Sequence, residues 1–493
     1  MQSVLRITDV GFSYYEGEEQ LKKVSINASK GECIAVIGAS GCGKSTLTRV
    51  INGLIPSFYS GKLSGDVHVD GIDLKTMASW EIGAKIGNVF QDPRSQFFSS
   101  EVTGEIAFGC ENLGMSHSDI QQRVHQTMHS MQIESLAKAS IYTLSYGMRQ
   151  KVAICSAKAM NPEIYVFDEP SANLDLQSTL LLADLIQELK SEGKTIIIAE
   201  HRLFYLKGIA DRHLLMENGS ISEIYSAAQM QNLDSDYMNR KGLRSMNLKD
   251  ISVNKEIPAI SGTSLSVEIK NLYKSYGSKA ILEDVSFQYD GNEIIALVGE
   301  NGIGKSTLGK VIAGLTKESD GQILIDGRPV SHKKRIGKIW YIPQDLDSQL
   351  FGENLVDELT TGLKGSTGET QKAEAILTQL GLFPFKSRHP ATLSGGQKQR
   401  LVLGVAMMRE TPMIILDEPT SGLDFCSMEK VRKLILEQQT KGTKFLIISH
   451  DIEFIARTCN RVLKIEKGRI TEDYYLHDVA DLLNSMGYKE GKI

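Results

Sequence analysis

One phosphate-binding sentence is written twice in this chain, as Gly38-Ala39-Ser40-Gly41-Cys42-Gly43-Lys44-Ser45-Thr46 and as Gly299-Glu300-Asn301-Gly302-Ile303-Gly304-Lys305-Ser306-Thr307. Both fit G-x-x-x-x-G-K-[ST]: the glycines let backbone N–H groups close around phosphate oxygens, the lysine reaches the terminal phosphates, and the Ser hydroxyl holds Mg²⁺. Two ATP molecules, each with Mg²⁺, are the ligands this predicts. Downstream of each loop stand Asp168-Glu169-Pro170 and Asp417-Glu418-Pro419. The aspartate can hold the Mg²⁺ that bridges the β- and γ-phosphates, and the glutamate can orient and polarise the attacking water. His201 and His450 follow the next apolar run, where an imidazole can contact the γ-phosphate region and hold the water-orienting acid. Gln91 and Gln344 either offer an uncharged oxygen to Mg²⁺ or water, or simply end a strand. The expected metal ligands are therefore Ser45, Gln91 and Asp168 in the first copy, and Ser306, Gln344 and Asp417 in the second. Tyr14 and Tyr276, at similar distances before the two lysines, either stack on adenine or pack in the core.

These residues need strands to carry them. Apolar runs rich in β-branched residues, Cys33 to Ile37 and Ile294 to Val298, lead into the loops, and helix-forming residues lead out, so phosphate would meet a helix N-terminus. Ile164 to Phe167 and Thr195 to Ala199, repeated as Met413 to Leu416 and Lys444 to Ile448, are continuously hydrophobic, as strands of a mostly parallel sheet covered on both faces must be. The acids then fall at C-terminal strand ends, where α/β sheets keep their ligands. The interval from lysine to aspartate is far longer than one βαβ unit and about a dozen residues shorter in the second copy. It predicts an inserted helical subdomain, with helical spacing of apolar positions over Ser118 to Ala137 and Glu369 to Leu382. The tails, Ser226 to Arg244 and His477 to Lys492, each read as an amphipathic helix followed by a basic, glycine-containing exit.

The chain has 493 residues, too many for one core. The repeat divides it into residues 1–244, a polar linker at 245–264 with Pro258 and Gly262, and residues 265–493. Composition is that of an α/β protein, 41% hydrophobic and 23% charged, and a net charge of −5 supplies no overall basic face for nucleic acid. Six scattered cysteines show no CxxC spacing and read as small core residues in a reducing compartment. No apolar stretch approaches the ~20 residues that span a bilayer, and no signal-peptide core opens the sequence, so a membrane role would run through a partner.

Leu393-Ser394-Gly395-Gly396-Gln397 and its altered counterpart Leu144-Ser145-Tyr146-Gly147-Met148 complete a pattern that resembles the ATP-binding cassette ATPases, with both cassettes fused. The resemblance implies two domains, each with a phosphate-loop core, a mostly parallel sheet, an antiparallel β region and a helical subdomain. It also implies that the cassettes pair head to tail, each nucleotide lying between the loop of one and the signature of the other. Lys44, Gln91, Asp168, Glu169 and His201 would then work with Ser394, Gly395, Gly396 and Gln397, and Lys305, Gln344, Asp417, Glu418 and His450 with Ser145 and Gly147. Tyr146 puts a ring where a glycine is usual and Met148 removes an amide, so the second site is expected to close less tightly. Asp175 and Asp424 match the loop that couples the sites in this family, or cap the helices that follow them.

Gln91-Asp92-Pro93-Arg94-Ser95-Gln96-Phe97-Phe98, Gln344-Asp345-Leu346-Asp347-Ser348-Gln349-Leu350-Phe351 and Glu200-His201-Arg202-Leu203 resemble the energy-coupling factor importers. In them a Gln-aromatic element helps receive helices of the membrane subunit; otherwise Phe97, Phe98 and Phe351 pack within the helical subdomain. This resemblance implies a peripheral ATPase on the cytoplasmic face of the cell membrane. It would drive uptake of a vitamin, precursor or metal ion through a transmembrane coupling subunit and a substrate-binding subunit, with no nucleic acid and no insertion into the bilayer. A tandem-cassette translation factor resembles its relatives in a long charged linker, which residues 245–264 are too few to supply. A fused sugar-importer ATPase commonly lacks the second acidic pair, yet Glu418 is present. Inserted zinc fingers or coiled coils, expected of a DNA-repair cassette, are not visible.

Overall fold

The computed structural model describes residues 3–15, 17–257, 265–363 and 367–488. They form two compact units with the main break between Met246 and Asn247. In the first, six strands lie in the order Ser220–Ser226, Arg212–Glu217, Cys33–Ile37, Thr195–Ala199, Ile164–Asp168 and Ile86–Val89. All neighbours are parallel except the edge hairpin Arg212–Glu217 and Ser220–Ser226. Every residue of the three central strands is buried, because helices cover one face and a second sheet helps cover the other. That second sheet is antiparallel, in the order Glu19–Ser29, Ser3–Ser13, Lys62–Val69 and Ile72–Asp73.

The second unit repeats the plan strand for strand. Its large sheet runs Ile339–Ile342, Met413–Asp417, Lys444–Ile448, Ile294–Val298, Arg461–Glu466 and Arg469–Tyr475, and its antiparallel sheet Lys279–Tyr289, Val267–Tyr276, Asp320–Ile325 and Arg328–Pro329. Register is preserved: Asp168 pairs with Ala199 and Asp417 with Ile448, so each acid sits level with the end of the strand that leads to the histidine.

Helices Val102–Asn112, His117–Ser130 and Tyr146–Met160 make the subdomain of the first unit, and Leu355–Thr360, Thr367–Gln379 and Gly395–Met408 that of the second. The helix expected to run from Ser118 to Ala137 stops at Ser130: Gln132 takes a left-handed φ of 53°, and the chain resumes as the single turn Glu134–Leu136. Its twin ends at Gln379, before Gly381 at φ 66°. Most of the length difference between the copies falls before the glutamines, where the first has the extra turn Leu54–Ser57 and the longer helix Ser79–Lys85 against His332–Arg335. The first tail is two short helices, Ala227–Gln231 and Ser235–Arg240, each opened by its own side-chain cap, Ser226 and Asp234. The second tail has one, Val479–Ser485, and residues beyond 488 lie outside those described.

Of the segment expected to be a linker, residues up to Ile257 are described, and Pro258 and Gly262 lie outside them. That first part packs on the second unit: Asn254 bonds the Ala456 and Thr458 carbonyls, Asn460 reaches back to the Asn254 and Glu256 carbonyls, and Leu248 and Ile251 are buried. No helix among the described residues is long and apolar enough to cross a membrane.

Candidate functional site

Each phosphate loop leaves the end of a buried strand and enters a helix, Lys44–Ile51 or Lys305–Ile312. Gly38 and Gly299 have φ of 145° and 149°, and a Cβ on either would collide with the carbonyl of Met216 or Ile465 on the neighbouring strand. Only glycine fits there. Lys44 folds back so that its Nζ donates to the Gly38 and Ala39 carbonyls at 2.9 and 3.1 Å, and Lys305 does the same to Gly299 and Glu300 at 2.7 Å each. Neither helix has a side-chain cap on its first N–H groups, which are the groups a phosphate would satisfy.

The first acid is tied to the loop. Ser45 Oγ donates to Asp168 Oδ1 at 3.1 Å, and Thr48 Oγ1, which donates to the Ser45 carbonyl at 2.9 Å, lies 3.4 Å from Oδ2. Burial, with the adjacent Glu169 charge, pushes Asp168 up to about 7. Burial works the same way on Glu169, but there His201, Lys44 and Gln91 overcome it and hold the carboxyl below its ordinary value. Gln91 Nε2 donates to Glu169 Oε2 at 2.8 Å, and His201 Nε2 lies 3.3 Å from Oε1. Glu169 and Glu418 both sit at left-handed φ, 48° and 50°, with their N–H groups bonded at 2.8 Å to the Ala199 and Ile448 carbonyls. A non-glycine residue in that conformation is strained unless its surroundings fix it, and two equivalent acids held that way mark the same functional point in each copy.

In the second copy His450 Nε2 stands 3.4 Å from Glu418 Oε1 and 2.8 Å from Asn301 Oδ1 in the loop, while Ser449 Oγ donates to Glu418 Oε2 at 3.3 Å. Asp417 differs from Asp168: its Oδ2 accepts a 2.6 Å hydrogen bond from the Tyr341 hydroxyl.

The histidine turns are anchored differently too. Buried Glu200 accepts the N–H groups of His201 (2.7 Å) and Arg202 (3.1 Å) on one oxygen, and the Ser171 N–H (3.3 Å) and Tyr205 hydroxyl (2.7 Å) on the other. Arg202 donates to the Ser171 and Leu174 carbonyls, so a carboxylate and a guanidinium together pin the turn that follows Glu169. The second copy places its carboxylate after the histidine instead. Asp451 Oδ2 accepts from Thr420 Oγ1 at 2.7 Å, and its N–H donates to Ser449 Oγ.

Ser145 opens the helix Tyr146–Met160 and accepts the Met148 N–H at 3.4 Å; Ser394 opens Gly395–Met408, with its N–H bonded to Gln397 Oε1 at 2.9 Å. Gly147 and Gly396 lie buried in the first turns. The Tyr146 hydroxyl donates to the Gln91 carbonyl at 2.7 Å, fastening the signature turn to the glutamine that touches Glu169, whereas nothing lies within 4 Å of where a Cβ on Gly395 would be. Asp175 caps the helix Leu176–Ser191 through the Ser178 N–H.

The tyrosines expected near adenine are unlike one another. Tyr14 packs edge-on against Phe12 and Tyr59, and Arg49 donates to its hydroxyl at 2.9 Å; Tyr276 is exposed, with the Lys274 ammonium 4.7 Å above its ring. Phe98 is 76% exposed and stacks on Phe108, and Phe351 is 78% exposed. Of the cysteines, five are buried and Cys426 is exposed. Glu200, Arg202, Tyr205, Thr48 and Tyr341 went unread as site residues; Glu200-His201-Arg202 set against Ser449-His450-Asp451 was the available signal.

Two phosphate loops, each with a buried aspartate, a constrained glutamate and a histidine, on two copies of one α/β architecture, define a tandem ATPase. The ABC transporter family model matches residues 21–172 and 282–421. The chain belongs to that family and is an ATP-binding protein and ATPase with two fused cassette domains. A Treponema denticola protein named "Putative ABC transporter ATP-binding protein" is 39% identical over 95% of this chain and 97% of its own length. The Bacillus subtilis protein named "Putative HMP/thiamine import ATP-binding protein YkoD" is 31% identical over 95% and 91%. Among solved structures, likeness of fold extends to one described as "Model of ribosome-bound archaeal Pelota and ABCE1", with TM-score 0.69 and 22% identity over 97% of this chain and 80% of that one. It also extends to "RNase-L Inhibitor", with TM-score 0.64 and 21% identity over 97% and 93%.

Proposed function

We propose that this ATPase is the energy-supplying subunit of an importer of the energy-coupling factor type, peripheral on the cytoplasmic face of the membrane. It would drive uptake of a micronutrient through a transmembrane coupling subunit and a substrate-binding subunit. The observation that carries the reading is the pair of solvent-facing phenylalanines, Phe98 and Phe351, each seven residues beyond the glutamine of its cassette. Large exposed aromatics seven residues on from the glutamine, which in the first cassette contacts Glu169, suit an apolar partner helix that must sense the nucleotide state. The name of the Bacillus subtilis relative, which gives import as its role, supports the same direction.

Within each cassette, the lysine ammonium (Lys44, Lys305) neutralises the terminal phosphates. The paired hard oxygens of Ser45 with Asp168, and of Ser306 with Asp417, suit Mg²⁺, which when bound neutralises charge on the phosphates. Gln91 and Gln344 stand ready beside this set. Glu169 and Glu418 orient water for direct attack, and His201 and His450 hold those acids. Tyr14 and Tyr276 supply aromatic surface for adenine. The signature turns, Ser394 to Gln397 and Ser145 with Gly147, act on the nucleotide of the opposite cassette, Asp175 and Asp424 couple the two, and the Tyr146 copy grips less firmly.

Purification of the tagged chain from detergent-solubilised membranes, followed by identification of what accompanies it, tests the reading. Recovery of integral membrane subunits is expected. Recovery with ribosomes and without membrane subunits overturns it in favour of a translation factor.

A further inference from the structure

The two metal-side aspartates are held from opposite directions, and the residues responsible have been exchanged as a set. Thr48, fourth after Lys44 on the loop helix, donates to the Ser45 carbonyl at 2.9 Å and brings its hydroxyl to 3.4 Å from Asp168 Oδ2, and its counterpart, fourth after Lys305, is Gly309. A Cβ on Gly309 would come within 3.0 Å of the Tyr341 ring, 3.2 Å of Ile448 and 3.3 Å of Ile415, so the glycine leaves room for the phenol. Tyr341 pairs with Ile415, two residues before Asp417; the residue in that register in the first cassette is Asn88, opposite Val166, two before Asp168. Asn88 turns its amide onto the Ile86 carbonyl of its own strand and does not reach the aspartate. The residue level with Asp417 is Ile448, and the one level with Asp168 is Ala199. The trio Thr48, Asn88 and Ala199 thus corresponds to Gly309, Tyr341 and Ile448.

We infer that Tyr341 is a positioning residue for the metal-holding carboxylate of the second cassette, in the place that Thr48 fills in the first. Its phenol is buried and donates to Asp417 Oδ2 at 2.6 Å, so it fixes one oxygen of the carboxylate assigned to Mg²⁺. One Asp417 oxygen is committed to the phenol and the other is left for the cation. Because Tyr341 lies three residues before Gln344, the same bond ties the metal carboxylate to the strand Ile339–Ile342 that leads to the glutamine. A tyrosine merely filling the core would need a partner for its hydroxyl but not this one.

The inference rests on Asp417 holding Mg²⁺, and the experiment separates the two. In the full chain carrying Lys44→Ala, which silences the first loop, and Glu418→Gln, which stops hydrolysis at the second, binding of a fluorescent ATP analogue is titrated at graded Mg²⁺ and without it. Tyr341→Phe is expected to raise the Mg²⁺ needed for half-maximal binding about tenfold, the usual scale for losing a residue that orients a ligand, while metal-free affinity stays unchanged. Installing the other arrangement whole, as Tyr341→Asn with Gly309→Thr and Ile448→Ala, is expected to restore the Mg²⁺ dependence. An unchanged Mg²⁺ dependence in Tyr341→Phe while Asp417→Asn shifts it overturns the role of Tyr341. So does equal weakening with and without Mg²⁺, or no rescue by the transplanted trio. If Asp417→Asn itself changes nothing, the metal assignment fails and this inference goes with it.

Discussion

Replacing Glu200 by glutamine changes one atom in a buried cluster where four donors converge on two oxygens. Glutamine keeps one oxygen. If it faces the His201 and Arg202 N–H groups, the new amide faces the Ser171 N–H, which is fully buried and loses its acceptor, while the Tyr205 hydroxyl can turn and accept. An orphaned buried donor costs about 1–3 kcal/mol, and the surviving bonds lose their charge, about 1 kcal/mol each; relief from burying the carboxylate offsets part of that. The net expectation is a loss of about 2–3 kcal/mol, read as a fall of roughly 1 M in the urea midpoint of the first cassette. Tyr205→Phe alone removes one donor and is expected to cost about 1 kcal/mol. The double variant should fall short of the sum by at least ~0.5 kcal/mol, because both changes act on the same carboxylate. ATPase assays should show kcat falling with KM for ATP held, since Glu200 fixes the turn that carries His201 and leaves the phosphate loop untouched. A midpoint within 0.2 M of the parent's (about 0.5 kcal/mol), or strict additivity, would refute the account of Glu200 as the anchor.

Tyr146→Phe deletes the hydroxyl that fastens the signature turn to the Gln91 carbonyl; a stability loss of about 1 kcal/mol by urea titration and an altered kcat are expected, and no change in either would mean that the bond is idle. Glu169→Gln and Glu418→Gln should both lower steady-state ATPase but unequally, with the larger loss from Glu169→Gln; equal losses would count against inequivalent sites. His213 is buried on the strand Arg212–Glu217 with neither ring nitrogen bonded, and burial pushes it down to about 4. Its folded value lies below the unfolded one, so its contribution is intact above about pH 6.5 and is lost as pH falls toward 4, by about 3 kcal/mol in all. His213→Val, which copies Val462 in the same register of the second cassette, should flatten the acid arm of a stability-against-pH curve by that amount, and an unchanged curve would sink the idea.

What the sequence made legible was whatever is local. The phosphate loops, the strands that feed them and the acids at strand ends are each set by a run of adjacent residues, and the six-stranded sheets place them as their hydrophobicity requires. What stayed hidden depends on register between distant strands. That Tyr341 meets Asp417, while Asn88 ignores Asp168, follows from a side-chain exchange at Gly309 that no periodicity signals. The helix expected to reach Ala137 ends early because the Ile133 N–H turns back to the Met128 carbonyl, a local closure that apolar spacing does not report. Tyr14 and Tyr276 hold matching positions in sequence yet different surroundings, since Arg49 and Tyr59 have no equivalents around Tyr276 among the contacts described.

The lysines of the two phosphate loops have a consequence for the kinetics of capture. Each ammonium is already moored to two carbonyls of its own loop, which holds the loop backbone in its course. The cradle is therefore preorganised. Incoming phosphates exchange places with carbonyl oxygens on a finished scaffold instead of ordering a slack one, so most of the entropy of shaping the pocket has been settled during folding. Association with ATP should accordingly follow a single rapid phase, and the slow steps of the cycle should belong to larger motions elsewhere.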